Sequence, residues 1–142
     1  MRRMRLGIGV MAALMIMLVG NSSVQRVAAQ GDVKEVTVSA KKFEFSPAEI
    51  RVKAGSRVRL IVTATDREHG IEINPVAEGA DKKAAPGLKF DASVAKPEFK
   101  LPKEQATSIE FTTSQPGTYS FKCSVVCGMG HRSMKGEIIV EP

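Results

Sequence analysis

The chain has 142 residues, with 43% hydrophobic and 25% charged side chains, two Cys, two His, seven Met and no Trp. This length corresponds to one globular domain, and the composition excludes a disordered chain, a collagen-like repeat and a disulfide-dense small protein. The formal net charge of +6 is concentrated at the N-terminus, because four arginines and no acid precede Gln30, leaving 17 basic and 15 acidic residues from there on. A nearly neutral body without a basic stripe excludes nucleic acid as a partner.

The N-terminus has the pattern of an export signal. Basic residues at positions 1–5 precede an uncharged apolar run from Leu6 to Val19, and Val27-Ala28-Ala29 supplies the small residues that a signal peptidase needs. The sequence predicts a signal peptide over residues 1–29. An uncleaved anchor is the alternative, although the run is shorter than the roughly 20 residues that span a bilayer. Residues 30–142 are therefore expected in the periplasm or another extracytoplasmic compartment, with a membrane contact only if the segment is retained.

Short segments with a hydrophobic period of two follow the signal, as is typical of β-strands. They are separated by Gly, Pro or charged clusters, and Gln115-Pro116-Gly117-Thr118 has Pro and Gly where a type II turn needs them. About seven such segments predict an all-β fold in which two sheets enclose the core. The apolar alternation is carried by Val36 and Val38, Phe43 and Phe45, Ile50 and Val52, Val58 to Val62, Ile71 and Ile73, Ile109 and Phe111, Tyr119 to Cys123, and Gly136 to Val140.

The alternation stops between residues 74 and 102, where prolines, glycines and lysines are interspersed. The sequence predicts a long surface insertion over this stretch. Connections of such length usually carry a function or are mobile, so that a partner-binding flap and a tolerated excursion are both open interpretations.

The potential metal ligands are concentrated in one segment. Both cysteines, one of the two histidines and two of the seven methionines lie within residues 123–134, and the other histidine, His69, ends an interrupted strand. Thiolate, imidazole and thioether groups favour copper over magnesium, calcium or manganese. Gly128 and Gly130 allow the backbone to curl, so that later side chains turn back towards the first cysteine. The candidate ligands are His69, Cys123, Cys127, His131 and Met134.

A disulfide is the more common fate of two cysteines in an exported protein. A disulfide, however, gives no reason for His131 and Met134 to follow at ligand spacing, or for His69 to lie at a strand end. The sequence therefore favours a metal site over a cystine.

The pattern Cys-x3-Cys-x3-His-x2-Met at 123–134, with Asp66-Arg67-Glu68-His69 upstream, resembles the cupredoxins, specifically those with a binuclear CuA centre, as in cytochrome c oxidase subunit II and nitrous oxide reductase. The resemblance covers most of residues 35–140 and implies a Greek-key β-sandwich. It also implies two copper ions bridged by both cysteines. It further implies one histidine ligand for each copper, here His69 and His131. A weakly bound methionine, Met134, would complete one copper, and the main-chain carbonyl of Val125 would complete the other.

The resemblance implies an exported electron-transfer protein that catalyses no bond chemistry and exchanges electrons with a partner such as a c-type cytochrome or an oxidase. A mononuclear copper site is an alternative, as are a subunit II-like component of a terminal oxidase and a periplasmic copper carrier. Val125 stands where oxidases have Glu, and no Trp is present as the usual point of electron transfer, which disfavours the oxidase subunit. Residues 128–130 are expected to form an apolar docking patch around an exposed histidine ligand.

Overall fold

The structure is a computed structural model, and it describes residues 32–81 and 83–142. The predicted signal peptide, residues 1–29, lies outside the described residues. Within the described part of the chain, the regular structure is β apart from one short 3-10 helix, His131–Ser133. No helix among these residues is long and apolar enough to cross a membrane.

The strands form two sheets of five strands each. The described strands are β1 (Val33–Lys41), β2 (Glu44–Ser46), β3 (Glu49–Lys53), β4 (Arg57–Ala64), β5 (His69–Ile73), β6 (Leu88–Phe90), β7 (Glu98–Leu101), β8 (Ala106–Thr113), β9 (Gly117–Lys122) and β10 (Lys135–Glu141). The first sheet has the order β2-β1-β4-β8-β6 and the second the order β3-β10-β9-β5-β7. Neighbours are antiparallel except for the parallel pairs β1 with β4 and β3 with β10.

The prediction of an all-β sandwich is confirmed, because each long strand buries every second side chain between the sheets. Strand β4 shows this most clearly, with Val58, Leu60, Val62 and Ala64 all fully buried. The number of strands is higher than the seven expected. The additional strands β6 and β7 have only three or four residues, too few to produce a visible alternation in the sequence.

The segment 74–102, predicted to be a surface insertion, is partly built into the sandwich. Strand β6 pairs with β8 at the edge of the first sheet, and β7 pairs with β5 at the edge of the second. Leu88 and Leu101 place their side chains in the core, with 1% and 0% exposure. The segment thus lengthens both sheets, and β7 lies beside the strand that begins with His69.

One end of the sandwich collects the loops that carry the candidate ligands. The β4–β5 loop, residues 65–68, leads into His69, and the β9–β10 loop, residues 123–134, leaves the neighbouring strand β9. The β1–β2 turn, residues 42–43, reaches the same end, because the main-chain N–H of Thr65 donates to the carbonyl of Ala40 at 2.9 Å. Loops from distant parts of the chain therefore meet where β5 begins and β9 ends.

Candidate metal centre

The two cysteines lie close together at this end of the sandwich. Cys123 directly follows β9, and Cys127 lies four residues later in the β9–β10 loop. Both are free thiols, 2% and 0% exposed. Their Sγ atoms are 3.9 Å apart. The structure thus holds two buried thiols side by side, as a site bridged by sulfur requires.

Each thiol faces one imidazole. The Nδ1 atom of His69, which is fully buried, lies 3.9 Å from Cys123 Sγ. The Nδ1 atom of His131 lies 3.8 Å from Cys127 Sγ, and this side chain is half-buried. The donor atoms of His69, Cys123 and Cys127 are all within 4.8 Å of one another. His131 is thus the histidine through which the site is partly exposed to solvent.

Each thiol also has a weaker donor beside it. The carbonyl oxygen of Val125 lies 3.1 Å from Cys123 Sγ, and the buried thioether sulfur of Met134 lies 3.8 Å from Cys127 Sγ. The loop is closed by the main-chain N–H of Cys123, which donates to the carbonyl of Met134 at 2.9 Å. The structure therefore brings all six predicted residues together, with one imidazole and one weaker donor beside each sulfur.

Burial favours the protonated form of the Cys127 thiol. Desolvation, reinforced by the neighbouring Cys123, raises the pKa of the Cys127 thiol above its ordinary value. Since thiolate rather than thiol is the metal ligand, a metal must displace a proton from this sulfur. The donor set of two thiols, two imidazoles and a thioether, enclosed away from water, fits a soft or borderline ion such as copper.

Asp66 fixes the orientation of His69. One carboxylate oxygen of Asp66 lies 2.7 Å from His69 Nε2 and accepts the main-chain N–H of Arg67, while the other accepts the main-chain N–H of Lys42. Partial burial alone raises the pKa of Asp66, but these hydrogen bonds outweigh it and lower the pKa to about 2. The ionised carboxylate binds Nε2 and leaves Nδ1 directed at the sulfurs. This role of Asp66 was not predicted, although its position three residues before His69 was an available signal.

Gly70 allows the β9–β10 loop, residues 123–134, which we call the ligand loop, to lie directly on β5. A Cβ atom at this position would overlap Ser124 Oγ and would lie 2.9 Å from Val125 Cγ2. Residues 124 and 125 can therefore approach the strand, which places the Val125 carbonyl beside Cys123. Only the contact with residues 124 and 125 of the β9–β10 loop reveals this requirement, so it could not be predicted from the sequence.

Two large apolar side chains are exposed next to the site. Met129 is fully exposed and Val126 is 76% exposed, and these are the exposed large hydrophobic side chains among the described residues. Both belong to the ligand loop, on either side of Cys127. Exposed apolar side chains concentrated in one loop indicate a contact surface rather than scattered exceptions.

Comparison with known proteins gives a consistent result. The family model of the Cupredoxin-like domain matches residues 10–140. The chain is 29% identical over 106 residues to cytochrome c oxidase subunit 2 of Thermus thermophilus, covering 75% of this chain and 64% of that relative. The chain thus spans less than two thirds of the length of this curated relative.

Solved structures share the fold. A chain of a heme-copper terminal oxidase dimer superposes with a TM-score of 0.55 at 24% identity, covering 76% of this chain and 65% of that one. Auracyanin A, described as a "blue" copper protein of Chloroflexus aurantiacus, superposes with a TM-score of 0.58 at 16% identity, covering 78% of this chain and all of that one. The match over nearly the whole chain, together with the buried cluster of sulfur and imidazole donors, shows that this protein belongs to the Cupredoxin-like domain family, a copper-binding electron-transfer fold.

Proposed function

We propose that this domain is an exported electron carrier with a binuclear copper centre of the CuA type. The observation that carries the proposal is the paired arrangement of donors, in which two adjacent buried sulfurs each face one imidazole nitrogen and one weaker donor. When bound, copper supplies a one-electron redox couple. The proposed ligands are His69, Cys123, Val125, Cys127, His131 and Met134.

The chain contributes a prearranged and dry environment for this chemistry. Cys123 and Cys127 would hold the copper, and their paired thiolates would spread the charge of one electron over the cluster, so that little would have to move when the electron arrives. The donors are held by β5, by the end of β9 and by a loop that the Cys123–Met134 hydrogen bond closes. The half-buried His131 connects the buried cluster with the surface, and Met129 and Val126 supply an apolar contact area for a redox protein such as a c-type cytochrome or an oxidase.

Copper retention during redox cycling tests this function against that of a copper carrier. The reduced protein is loaded with copper, dialysed against a copper chelator and cycled between oxidised and reduced states. An electron carrier keeps its copper and shows a reversible absorption change, because its ligands suit both oxidation states. A copper carrier, by contrast, releases Cu(I) to the chelator and forms no stable oxidised coloured species. That result would reject the proposal.

A subunit II-like component of a terminal oxidase is the second candidate. It is favoured by the sequence relationship with cytochrome c oxidase subunit 2, of which this chain covers 64%. Val125 in place of the oxidase Glu disfavours it. Purification of the tagged full chain from its native host distinguishes an oxidase subunit from a stand-alone electron carrier. An oxidase subunit copurifies in fixed stoichiometry with haem-containing chains, whereas an electron carrier does not.

A further inference from the structure

The two-residue turn between β1 and β2 contacts both segments that bring ligands to the site. The main-chain N–H of Lys42 donates to Asp66 Oδ2 at 2.9 Å, and the other oxygen of Asp66 holds His69. The next residue, Phe43, is half-buried and places its ring against the glycines of the β9–β10 loop. One turn thus contacts the residue that holds His69 and the loop that carries His131.

Gly130 shows how closely the ring of Phe43 approaches the ligand loop. Its backbone angles, φ −84° and ψ 4°, suit any residue, so conformation does not require glycine here. A Cβ atom at Gly130 would nevertheless overlap Cγ and Cδ2 of Phe43 and would lie 2.7 Å from Cε2. The ring therefore covers the main chain directly before His131, and this contact is what requires glycine.

Gly128 lies under the same ring. A Cβ atom there would lie 3.1 Å from both Cε1 and Cζ of Phe43, and the φ of +134° is itself unfavourable for other residues. Two glycines within three residues give the loop high backbone freedom when nothing covers it. The aromatic ring restricts that freedom over the stretch between Cys127 and His131.

We propose that Phe43 is a positioning residue. Its ring packs against Gly128 and Gly130 of the β9–β10 loop, a contact that we call the clasp, and thereby holds His131 and Cys127 in place relative to Asp66 and His69. Phe43 has no donor atom and acts only through the main chain of residues 128–130. The proposal rests on the proposed function only for its copper readout. In the copper-free chain it is a statement about loop order, because an uncovered glycine-rich loop opens more often.

A double-mutant cycle between Phe43→Ala and Gly130→Ala tests the clasp. Amide hydrogen exchange of residues 126–131 in reduced, copper-free protein and the rate of copper loss to a chelator are measured. For Phe43→Ala we expect faster amide exchange, because the uncovered loop opens more often, and copper loss faster by about tenfold or more, in line with the affinity lost when residues that orient metal ligands are removed. For Gly130→Ala we expect a disturbed loop when Phe43 is present and a smaller effect in the Phe43→Ala background, because the three atoms nearest to the new Cβ, which are Cγ, Cδ2 and Cε2 of Phe43, are then absent.

Two further variants separate positioning from general stability. Phe90→Ala removes another half-buried aromatic, whose ring centroid lies 5.4 Å from that of Phe111 in the first sheet, and we expect unfolding at lower urea with unchanged exchange of residues 126–131. Phe43→Tyr keeps the flat ring, and we expect wild-type exchange, copper loss and visible spectrum. If Phe43→Ala does not fold, Phe43→Leu still removes Cε1 and Cζ, the ring atoms nearest to Gly128, and we expect faster exchange of residues 126–131 in this variant; exchange equal to that of the wild type would overturn the proposal.

The proposal is overturned if Gly130→Ala has the same effect in both backgrounds, or if Phe43→Ala changes the loop no more than Phe90→Ala does. Hydrogen exchange decides this without copper. A chain that binds no copper but shows the expected exchange pattern would therefore refute the proposed function and support the clasp. A chain that binds and retains copper, but whose loop exchanges equally fast with and without the Phe43 ring, would support the proposed function and refute the clasp.

Discussion

At the scale of single residues, the site depends on groups that do not bind metal as much as on those that do. The ligand motif could be predicted because Cys123, Cys127, His131 and Met134 share one short segment with a diagnostic spacing. The roles of Asp66 and Gly70 could not be read in the same way. Each follows from a contact made only after folding, with the imidazole in one case and with the ligand loop in the other.

Asp66→Ala should weaken copper binding about 10- to 100-fold, because His69 loses the partner that fixes its ring and its protonated nitrogen. Competition with a copper chelator measures this change. Asp91→Ala is the matched control, since Asp91 is an exposed carboxylate that accepts hydrogen bonds only from Ser93. Equal losses of affinity in the two variants would contradict the orienting role of Asp66.

The same carboxylate should make the copper-free protein sensitive to acid. Its pKa is lowered from 3.8 to about 2 in the folded chain. The resulting stabilisation is complete above the unfolded pKa and is lost as the pH falls through the folded value, that is, between about pH 4 and pH 2. Urea unfolding of wild type and Asp66→Asn across this range measures the effect. The difference in unfolding free energy should shrink towards pH 2, and a constant difference would argue against an ionised, hydrogen-bonded Asp66.

At the scale of elements, strand pairing determines which parts of the chain could be anticipated. The long strands β4, β8 and β10 were visible because one face of each is buried and the other is not. Strands β6 and β7 were not visible, because each makes its pairs from three or four residues within a stretch rich in Pro and Lys. Their place in the sheets depends on partners far away in the sequence.

Gly70→Ala tests the contact between β5 and the ligand loop. The added methyl group should push residues 124–125 away from the strand, at a cost of about 1–3 kcal/mol in unfolding free energy, as for other overpacked positions. Urea unfolding and copper affinity measure the two effects. Ser124→Ala removes the nearest overlapping atom, so the double variant should recover part of the stability. No recovery would mean that the loop does not rest on β5 as described.

At the scale of the whole molecule, the sandwich is a scaffold that presents one reactive end. Its core is continuous from Tyr119 and Leu60 to the buried Cys127 and Met134, so the ligands are extensions of the hydrophobic core rather than additions to the surface. Opposite charges are paired along the sheets, as in the contacts of Glu110 with Arg57 and Arg59. The ligand loop, by contrast, exposes the large apolar side chains of Val126 and Met129 at this end.

Met129→Glu should slow electron exchange with a c-type cytochrome by about tenfold or more, because a charge at the centre of an apolar contact must be desolvated on binding. Stopped-flow kinetics of the copper-loaded protein measure the rate. Ala80→Glu adds the same charge at an exposed position in the segment between β5 and β6, near the start of β9 and away from the ligand loop, and should leave the rate unchanged. Equal rates for the two variants would place the contact elsewhere.

Electron paramagnetic resonance of the copper-loaded, partly oxidised protein, with copper counted on the same sample, tests the central claim most directly. Two buried sulfurs that each face an imidazole nitrogen predict two copper ions per chain sharing one unpaired electron. The hyperfine pattern should then contain more lines than one nucleus can produce. One copper per chain with a single-nucleus pattern would contradict the binuclear centre.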